Sequence, residues 1–176
     1  MSIWTEVTGN SLRQGDYLKG CMIPMMELGT SDANTQASYT VPVGTDDLVV
    51  LTQSCDLAND TKPLFVALCP IVSLEEFSKV NTKFLKSDKR ELIRKGRVEG
   101  LHLLPSSENA KDNTKALVVD FRKIYSLPFA SLEKHAESMG KRLRLSSPHL
   151  EHLSQSFARF FMRVGLPSEV EIPAYK

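Results

Sequence analysis

The stretch Asp47-Leu-Val-Val-Leu-Thr-Gln-Ser-Cys-Asp-Leu-Ala-Asn59 decides the fold more than any other part of the chain. Its apolar run predicts a buried strand over residues 47–54, which leads directly into Ser54, Cys55 and Asp56. A strand of this kind would place a thiol and a carboxylate at the rim of a sheet or barrel. Rims often carry binding and catalytic groups, because the scaffold fixes the position of the loops that bear them.

The composition is that of a globular protein with one core. The chain has 176 residues, of which 41% are hydrophobic and 24% charged, and no apolar run approaches the roughly 20 residues that a membrane helix needs. The N-terminus has no basic region followed by an apolar one, so we expect no secretory signal, no membrane association and a cytoplasmic location. Three cysteines without CxxC spacing argue against disulfides and a structural zinc site. No cofactor or metal is predicted.

The pattern along the chain predicts a mainly β fold with added helices, an α+β arrangement. A turn at residues 14–16 precedes the first strand, a long loop is predicted over residues 29–44, and a hairpin-like pair follows. We predict strands over residues 17–23, 47–54, 64–70, 101–104 and 115–125, with a further one near 142–145.

Two helical segments are predicted. Ser73 has the position of an N-cap, and a helical insert continues to Gly96, which can end it. The C-terminal helix has Ser147 as N-cap and Pro148 at its first position, and it runs through Val164. Its predicted docking face consists of Leu150, Leu153, Phe157, Phe160, Phe161 and Val164, and its opposite stripe consists of His149, His152, Ser156, Arg159 and Arg163.

The helical insert is the most charged part of the sequence. Between residues 79 and 97 there are eight Lys or Arg residues and two acidic ones, which gives 8 − 2 = +6. Such a patch is typical either of a phosphate-binding surface or of a merely solvated helix. The residues that we expect to contact nucleic acid are Ser54, Lys83, Lys86, Lys89, Arg90, Arg94, Arg159 and Arg163.

Three motifs resemble those of the MazF/PemK toxin family. They are Arg13-Gln-Gly-Asp-Tyr, the apolar strand that ends at Ser54, and Val118-Val-Asp-Phe-Arg-Lys-Ile-Tyr-Ser-Leu. The resemblance implies an SH3-like β-barrel with attached helices, which usually forms a homodimer and cleaves single-stranded RNA without a metal. The Arg-Pro pair that the family carries before its central strand is missing. Residues 144–167 also resemble a group of uncharacterised bacterial proteins, which implies no activity.

With this resemblance, we predict a single domain over residues 1–176. The SH3-like barrel would comprise residues 1–71 and 100–146, the basic helical insert residues 72–99, and the long C-terminal helix residues 147–165.

Asp120 and Arg122 are the predicted catalytic pair. Metal-free RNA cleavage needs a base for the 2′-hydroxyl and a cation for the phosphate. Residues two apart on a strand point to one face about 7 Å from each other, which would bracket a phosphodiester. Arg13 joins them in this hypothesis. The alternative is a cross-strand ion pair or a solvated strand face.

Cys55 offers a second mechanism. A thiolate at a strand end would be a nucleophile if His149 or His152 lowered its pKa. The alternative is that Cys55 is a small core residue, and that Asp56 caps the turn. His149 and His152 would bind a metal only with a further ligand from elsewhere, so a metal site is not expected.

The sequence is compatible with three functions. The leading hypothesis is a MazF/PemK-like nucleic-acid-binding protein of a bacterial toxin or phage-defence type, with metal-independent endoribonuclease activity as an open extension. In that hypothesis an antitoxin would be the protein partner. The second is a non-catalytic SH3-like module that docks a partner protein. The third is a Cys55-dependent hydrolase.

Overall fold

A computed structural model describes residues 3–25, 42–59, 61–106 and 116–162. This part of the chain is mixed α/β, with eight strands in one antiparallel sheet and five α-helices. The strands are β1 Trp4–Thr8, β2 Asp16–Pro24, β3 Val43–Val50, β4 Phe65–Ser73, β5 Leu101–Leu104, β6 Leu117–Asp120, β7 Tyr125–Pro128 and β8 Lys141–Leu145. The helices are α1 Ser54–Ala58, α2 Leu74–Val80, α3 Ser87–Arg94, α4 Phe129–Met139 and α5 His149–Phe161, with a 3-10 turn at Thr82–Leu85. None of the described helices is long and apolar enough to cross a membrane.

The strand order is β1-β8-β2-β3-β4-β6-β5, and β7 also pairs with β4. The sheet is not closed among the described strands, since β1 and β5 end it without pairing to each other. The predicted combination of a mainly β core with added helices is confirmed. The finer assignment to an SH3-like barrel stays a prediction.

The predicted strand over residues 115–125 is two strands in the structure. β6 pairs with the second half of β4, with Val119 opposite Ile71, and β7 pairs with the first half, with Leu127 opposite Val66. A turn between them breaks the ladder. The strand predicted over residues 47–54 also differs, because β3 ends at Val50 and residues 54–58 form the short helix α1.

The second half of β3 is apolar because both faces of the sheet are covered there. Leu48 and Val50 of β3 belong to one core cluster and Val49 belongs to another, as alternation along a strand requires. Helix α4 packs on the first face and α5 on the second, where Leu153 is fully buried. A third cluster joins the insert helices to Val118 of β6.

The Arg-x-Gly-Asp motif forms a tight turn with a buried ionic cluster. Gly15 has φ +82°, and a Cβ at this position would lie 2.8 Å from Leu150 Cδ1, so only glycine fits the turn. Asp16 is fully buried and accepts hydrogen bonds from the Arg13 amide at 3.1 Å, from Arg142 Nε at 3.0 Å and from Arg144. The motif therefore locks the start of β2 to β8.

Candidate nucleic-acid interface

Helix α5 lies across the second face of the sheet and borders two cavities. Leu150 packs against the turn at Gly15, and Phe160 packs against Gly100, whose Cβ position lies 3.1 Å from Phe160 Cε2. Ten residues separate the two contacts, which is about 15 Å along a helix. The cavity near Phe160 and the cavity near Leu150 are therefore separate sites.

The cavity at the C-terminal end of α5 is lined by cationic and aromatic side chains, together with Glu99. It measures about 280 Å³ and lies between the α3–β5 connection, β5 and α5. We call it the basic cleft and define it by the lining residues Lys95, Glu99, His102, Phe121, Ser156, Arg159 and Phe160. Arg159 is exposed at its mouth, and the following ring, Phe161, is 56% exposed at the end of the helix. Phe161 itself does not line the cleft, but its ring centroid lies 5.0 Å from that of Phe160, which does.

Arg122 lies beside this cleft but is paired with Asp120. The Arg122 Nε and one terminal nitrogen each donate to the Asp120 carboxylate at 2.7 Å, and the Arg122 amide donates to it at 3.0 Å. These bonds raise the pKa of Arg122, so the group stays cationic. The two side chains do not stand about 7 Å apart, because β6 ends at Asp120 and Arg122 belongs to the following turn.

Asp120 and Arg122 form an ion pair with each other inside one segment, and not the cross-strand pair of the alternative interpretation. The Asp120 side chain is only 10% exposed, whereas that of Arg122 is 44% exposed. Most of the acceptor capacity of Asp120 is therefore used by Arg122. The outer edge of the guanidinium can still face a phosphate. The catalytic assignment of the pair stays a prediction.

Arg13 and Ser54 lie at the other end of α5. Arg13 is exposed in the turn that contacts Leu150, so the structure does not bring it together with Asp120 and Arg122. Ser54 begins α1, and its hydroxyl accepts the amide of Gln14 at 3.1 Å. Ser54 therefore does not share the basic cleft with the other predicted contacts.

Cys55 is exposed beside the second cavity. This cavity measures about 460 Å³ and is lined by Gln14, Gln53, Ser54, Cys55, Leu150, Glu151, Ser154 and Gln155. The Cys55 sulfur lies 3.6 Å from Asp56 Oδ1. The interpretation of Cys55 as a core residue was wrong, since its thiol is accessible. Neither His149 nor His152, the predicted bases, lines the cavity.

The three cysteines are expected to differ sharply in reactivity. Burial raises the pKa of Cys21 and of Cys69 to about 12, whereas Cys55 is exposed. Iodoacetamide should therefore label native protein once, at Cys55, because only an accessible thiolate reacts. In denaturant all three should be labelled. Peptide mass spectrometry measures this, with Cys55→Ser as control, and comparable native labelling of Cys69 would contradict it.

The basic insert is partly neutralised by its own acidic residues. Arg94 forms two bonds of 2.6 Å with Glu91, which also pairs with Lys95 at 3.3 Å. Lys79 pairs with Glu75, and Lys89 lies 3.6 Å from Asp88. Counting Glu75 and Glu76 of α2 with the two acidic residues counted above, the charge over residues 75–97 is 8 − 4 = +4.

The remaining predicted contacts of the insert have structural partners. Arg90 Nε donates to the carbonyl of Phe84 at 2.7 Å, and Lys83 lies over the Phe84 ring. Lys86 precedes α3 and is exposed. Arg163 lies outside the described residues. Of the predicted nucleic-acid contacts, Arg159 lines the cleft. Arg94 is the sequence neighbour of Lys95, which also lines it.

His102, like Lys95, is a residue of the cleft that the sequence did not single out as a contact. It is the one polar side chain in the strand Leu101–Leu104, which was the available signal. Its ring stacks on Phe121 with centroids 6.2 Å apart. Burial, and then the charges of His152 and His149, lower the pKa of His102 to about 4, so it is neutral at pH 7. Within the described residues, no group of His, Cys, Asp and Glu has the arrangement of a metal site.

No protein-family model matches the chain, and no curated protein or solved structure is similar enough to it to count as a match. The resemblance to the MazF/PemK family therefore rests on the three sequence motifs. In the structure, the motif that begins at Arg13 forms the turn at Gly15 with its buried ionic cluster. The apolar motif contains strand β3, and the motif that begins at Val118 spans β6 and β7.

Proposed function

We propose that this chain is a MazF/PemK-like nucleic-acid-binding protein and that single-stranded RNA binds in the basic cleft. The observation that carries the proposal is the combination of Lys95, Arg159 and the outer edge of Arg122 with the exposed ring of Phe161. Cationic side chains follow a phosphate backbone, and an accessible ring stacks on a base of any sequence. In this proposal the SH3-like part comprises residues 1–71 and 100–146.

The electrostatics of the cleft favour moderate, salt-dependent binding. Lys95 and Arg122 are partly neutralised by Glu91 and Asp120, and Glu99 lines the cleft as well. Each phosphate contact releases counterions, so the affinity falls as salt rises. The two exposed cations, Lys95 and Arg159, are expected to supply most of this effect.

Binding without cleavage is the activity that the geometry supports best. The Asp120 carboxylate accepts three hydrogen bonds from Arg122 and its side chain is only 10% exposed, so little of it is accessible to a 2′-hydroxyl. Arg13, the third predicted catalytic residue, is about 15 Å away along α5. Metal-independent RNA cleavage and a toxin or phage-defence role remain extensions of the proposal.

The test is fluorescence anisotropy with labelled single-stranded RNA of mixed sequence. We expect saturable binding that weakens steeply between about 50 and 200 mM salt. Gel analysis of the same RNA, in the presence and absence of EDTA, measures cleavage separately. No anisotropy change at the lowest salt would contradict the proposal, whatever the gel shows.

A second candidate function, the docking of a partner protein, is favoured by one apolar groove. It measures about 450 Å³ between β2 and β7 and includes Met22, Pro24, Phe65 and Pro128. Met22 is 71% exposed and Phe65 is 56% exposed, although both are large and apolar. Clusters of this kind mark protein interfaces. A second copy of the chain is the simplest occupant, because the resemblance implies a homodimer.

The docking candidate predicts a change in oligomeric state. Light scattering should give the mass of a dimer for the unchanged protein and of a monomer for Met22→Ser/Phe65→Ser. Val80→Ser serves as control, since Val80 is 85% exposed on α2 and does not line the groove. A monomeric unchanged protein would contradict the homodimer.

A further inference from the structure

The basic cleft is a small pocket and not a long groove. Its volume of about 280 Å³ lies just below the range of about 300 to 1,000 Å³ that is typical of small-molecule sites. One nucleotide base fits a volume of this size, whereas a longer stretch of RNA does not. An RNA that uses the cleft therefore places one unstacked base inside it, and the exposed ring of Phe161 is left for a neighbouring base.

Two neutral polar side chains line the cleft without hydrogen bonds to the described part of the chain. The hydroxyl of Ser154 donates to the carbonyl of Leu150 at 3.0 Å, but Ser156, which lines the cleft, makes no such bond. His102 stacks on Phe121 and likewise has no hydrogen bond to a described residue. Since no buried side-chain nitrogen or oxygen of this part lacks a partner, the polar atoms of His102 and Ser156 are accessible from the cleft.

Glu99 is the only carboxylate among the described residues that line the cleft. It is exposed and takes part in another interaction, but a carboxylate has about four lone-pair sites and no donor. Close to Lys95 and Arg159, it repels the phosphates that these cations attract. It therefore lowers the affinity for every RNA unless a base donates hydrogen bonds to it.

Guanine is the base whose edge matches a carboxylate. Its Watson–Crick edge carries two adjacent donors, N1–H and the N2 amino group, which can both bond to one carboxylate. Adenine and cytosine have a ring acceptor beside their amino group, and uracil has carbonyl oxygens on both sides of its single N–H. Guanine also carries the acceptors O6 and N7, to which a histidine N–H and a serine hydroxyl can donate.

We propose that the basic cleft binds one unstacked guanine base of a single-stranded RNA. Glu99 accepts hydrogen bonds from N1–H and the N2 amino group, and His102 and Ser156 are the donors for O6 and N7. This inference rests on the proposed function, RNA binding in the basic cleft, and adds the base that is recognised. Lys95 and Arg159 contact the neighbouring phosphates, which position the RNA but carry no sequence information.

Four RNAs that differ at a single position test the choice of base. Each is a short, labelled, uridine-rich strand with guanine, adenine, cytosine or uracil at its centre, and its affinity is measured by fluorescence anisotropy at low salt. The guanine RNA should bind about 10-fold more tightly than each of the other three, which is within the discrimination that a good bidentate contact provides.

Glu99→Gln separates base recognition from a general effect of charge. Glutamine presents an amide donor in place of one acceptor, so the affinity for the guanine RNA should fall about 10-fold. The other three RNAs should bind at least as tightly as before, because a negative charge near their phosphates is removed. Ser156→Ala should weaken binding of the guanine RNA alone, by about 3-fold, the usual effect of one neutral hydrogen bond.

The control variant is Glu137→Gln. Glu137 is exposed on α4 and does not line the cleft, so this substitution removes the same charge at a distance from the proposed site. It should leave all four affinities nearly unchanged.

The possible results distinguish the guanine pocket from RNA binding itself. Equal affinity for all four RNAs would overturn the guanine pocket and leave RNA binding in place. Stronger binding of all four RNAs by Glu99→Gln would also overturn it, because Glu99 would then act through its charge alone. No binding of any RNA at low salt would contradict the proposed function and the guanine pocket together.

Discussion

Asp16→Asn is expected to lower the free energy of unfolding by about 3 to 5 kcal/mol, the usual cost of removing one partner from a buried ionic cluster. Asp16 and Arg142 are fully buried, and the Arg144 side chain is 21% exposed. Asparagine removes the only negative charge among the three, so two cations would remain close together without a counterion. Equilibrium unfolding in urea measures the loss, and an unchanged m-value would show that the unfolded state is unaffected.

A nearby surface pair provides the control for Asp16. Glu6 of β1 pairs with Lys141 of β8 at 2.8 Å, and both side chains are more than half exposed. Glu6→Gln should leave the unfolding curve nearly unchanged, because solvent screens an exposed pair. If Asp16→Asn has as small an effect as Glu6→Gln, the turn does not depend on the ionic cluster.

Charge reversal in the basic cleft is expected to weaken RNA binding by about 10- to 100-fold at low salt. Lys95→Glu/Arg159→Glu removes two cations and adds two carboxylates where the proposal places phosphates. It should also reduce the slope of log affinity against log salt by about 1.4, since each lost contact to a single strand contributes about 0.7. Anisotropy titrations at several salt concentrations give both quantities.

The matching control reverses two cations elsewhere. Lys62→Glu/Lys141→Glu changes the net charge by the same amount, but neither residue lines the cleft. We expect a much smaller loss of affinity from this variant. Equal losses in the two variants would mean that only the net charge matters and that the cleft is not the site.

Local signals in the sequence predicted several elements correctly. The structure contains three of them: the turn at Gly15 followed by strand β2, the N-cap Ser73 of α2, and strand β8. Ser73 Oγ accepts the Glu76 amide at 3.1 Å, as a capping box requires. Leu150, Leu153, Phe157 and Phe160 face the core as the helical period indicated, whereas Phe161 is exposed.

Two strand predictions were wrong because tertiary hydrogen bonds ended the strands. After β3, the amides of Leu51 and Thr52 both donate hydrogen bonds to the carbonyl of Ala67. Thr52 Oγ1 in turn accepts a hydrogen bond from the Ala67 amide at 2.8 Å. The chain then turns into α1. After β6, the Asp120 carboxylate accepts hydrogen bonds from the amide and the guanidinium of Arg122. Neither arrangement has a periodic signature.

Helix α4 was missed although its sequence carries a signal. Phe129, Leu132 and Ala136 are buried at spacings of three and four residues, which is a helical period. The candidate site was harder to predict, since Lys95, His102 and Arg159 come from three separate segments. Only the fold of β5 beside α5 brings them together.

The central claim is that single-stranded RNA occupies the basic cleft, and photo-crosslinking tests it most directly. RNA that contains 4-thiouridine would be bound at low salt and irradiated, and the crosslinked peptides would be identified by mass spectrometry. The account predicts crosslinks at Phe161 and in the segment from Lys95 to His102. Crosslinks confined to other surfaces, such as β1 and β8, or no crosslinks at all, would contradict it.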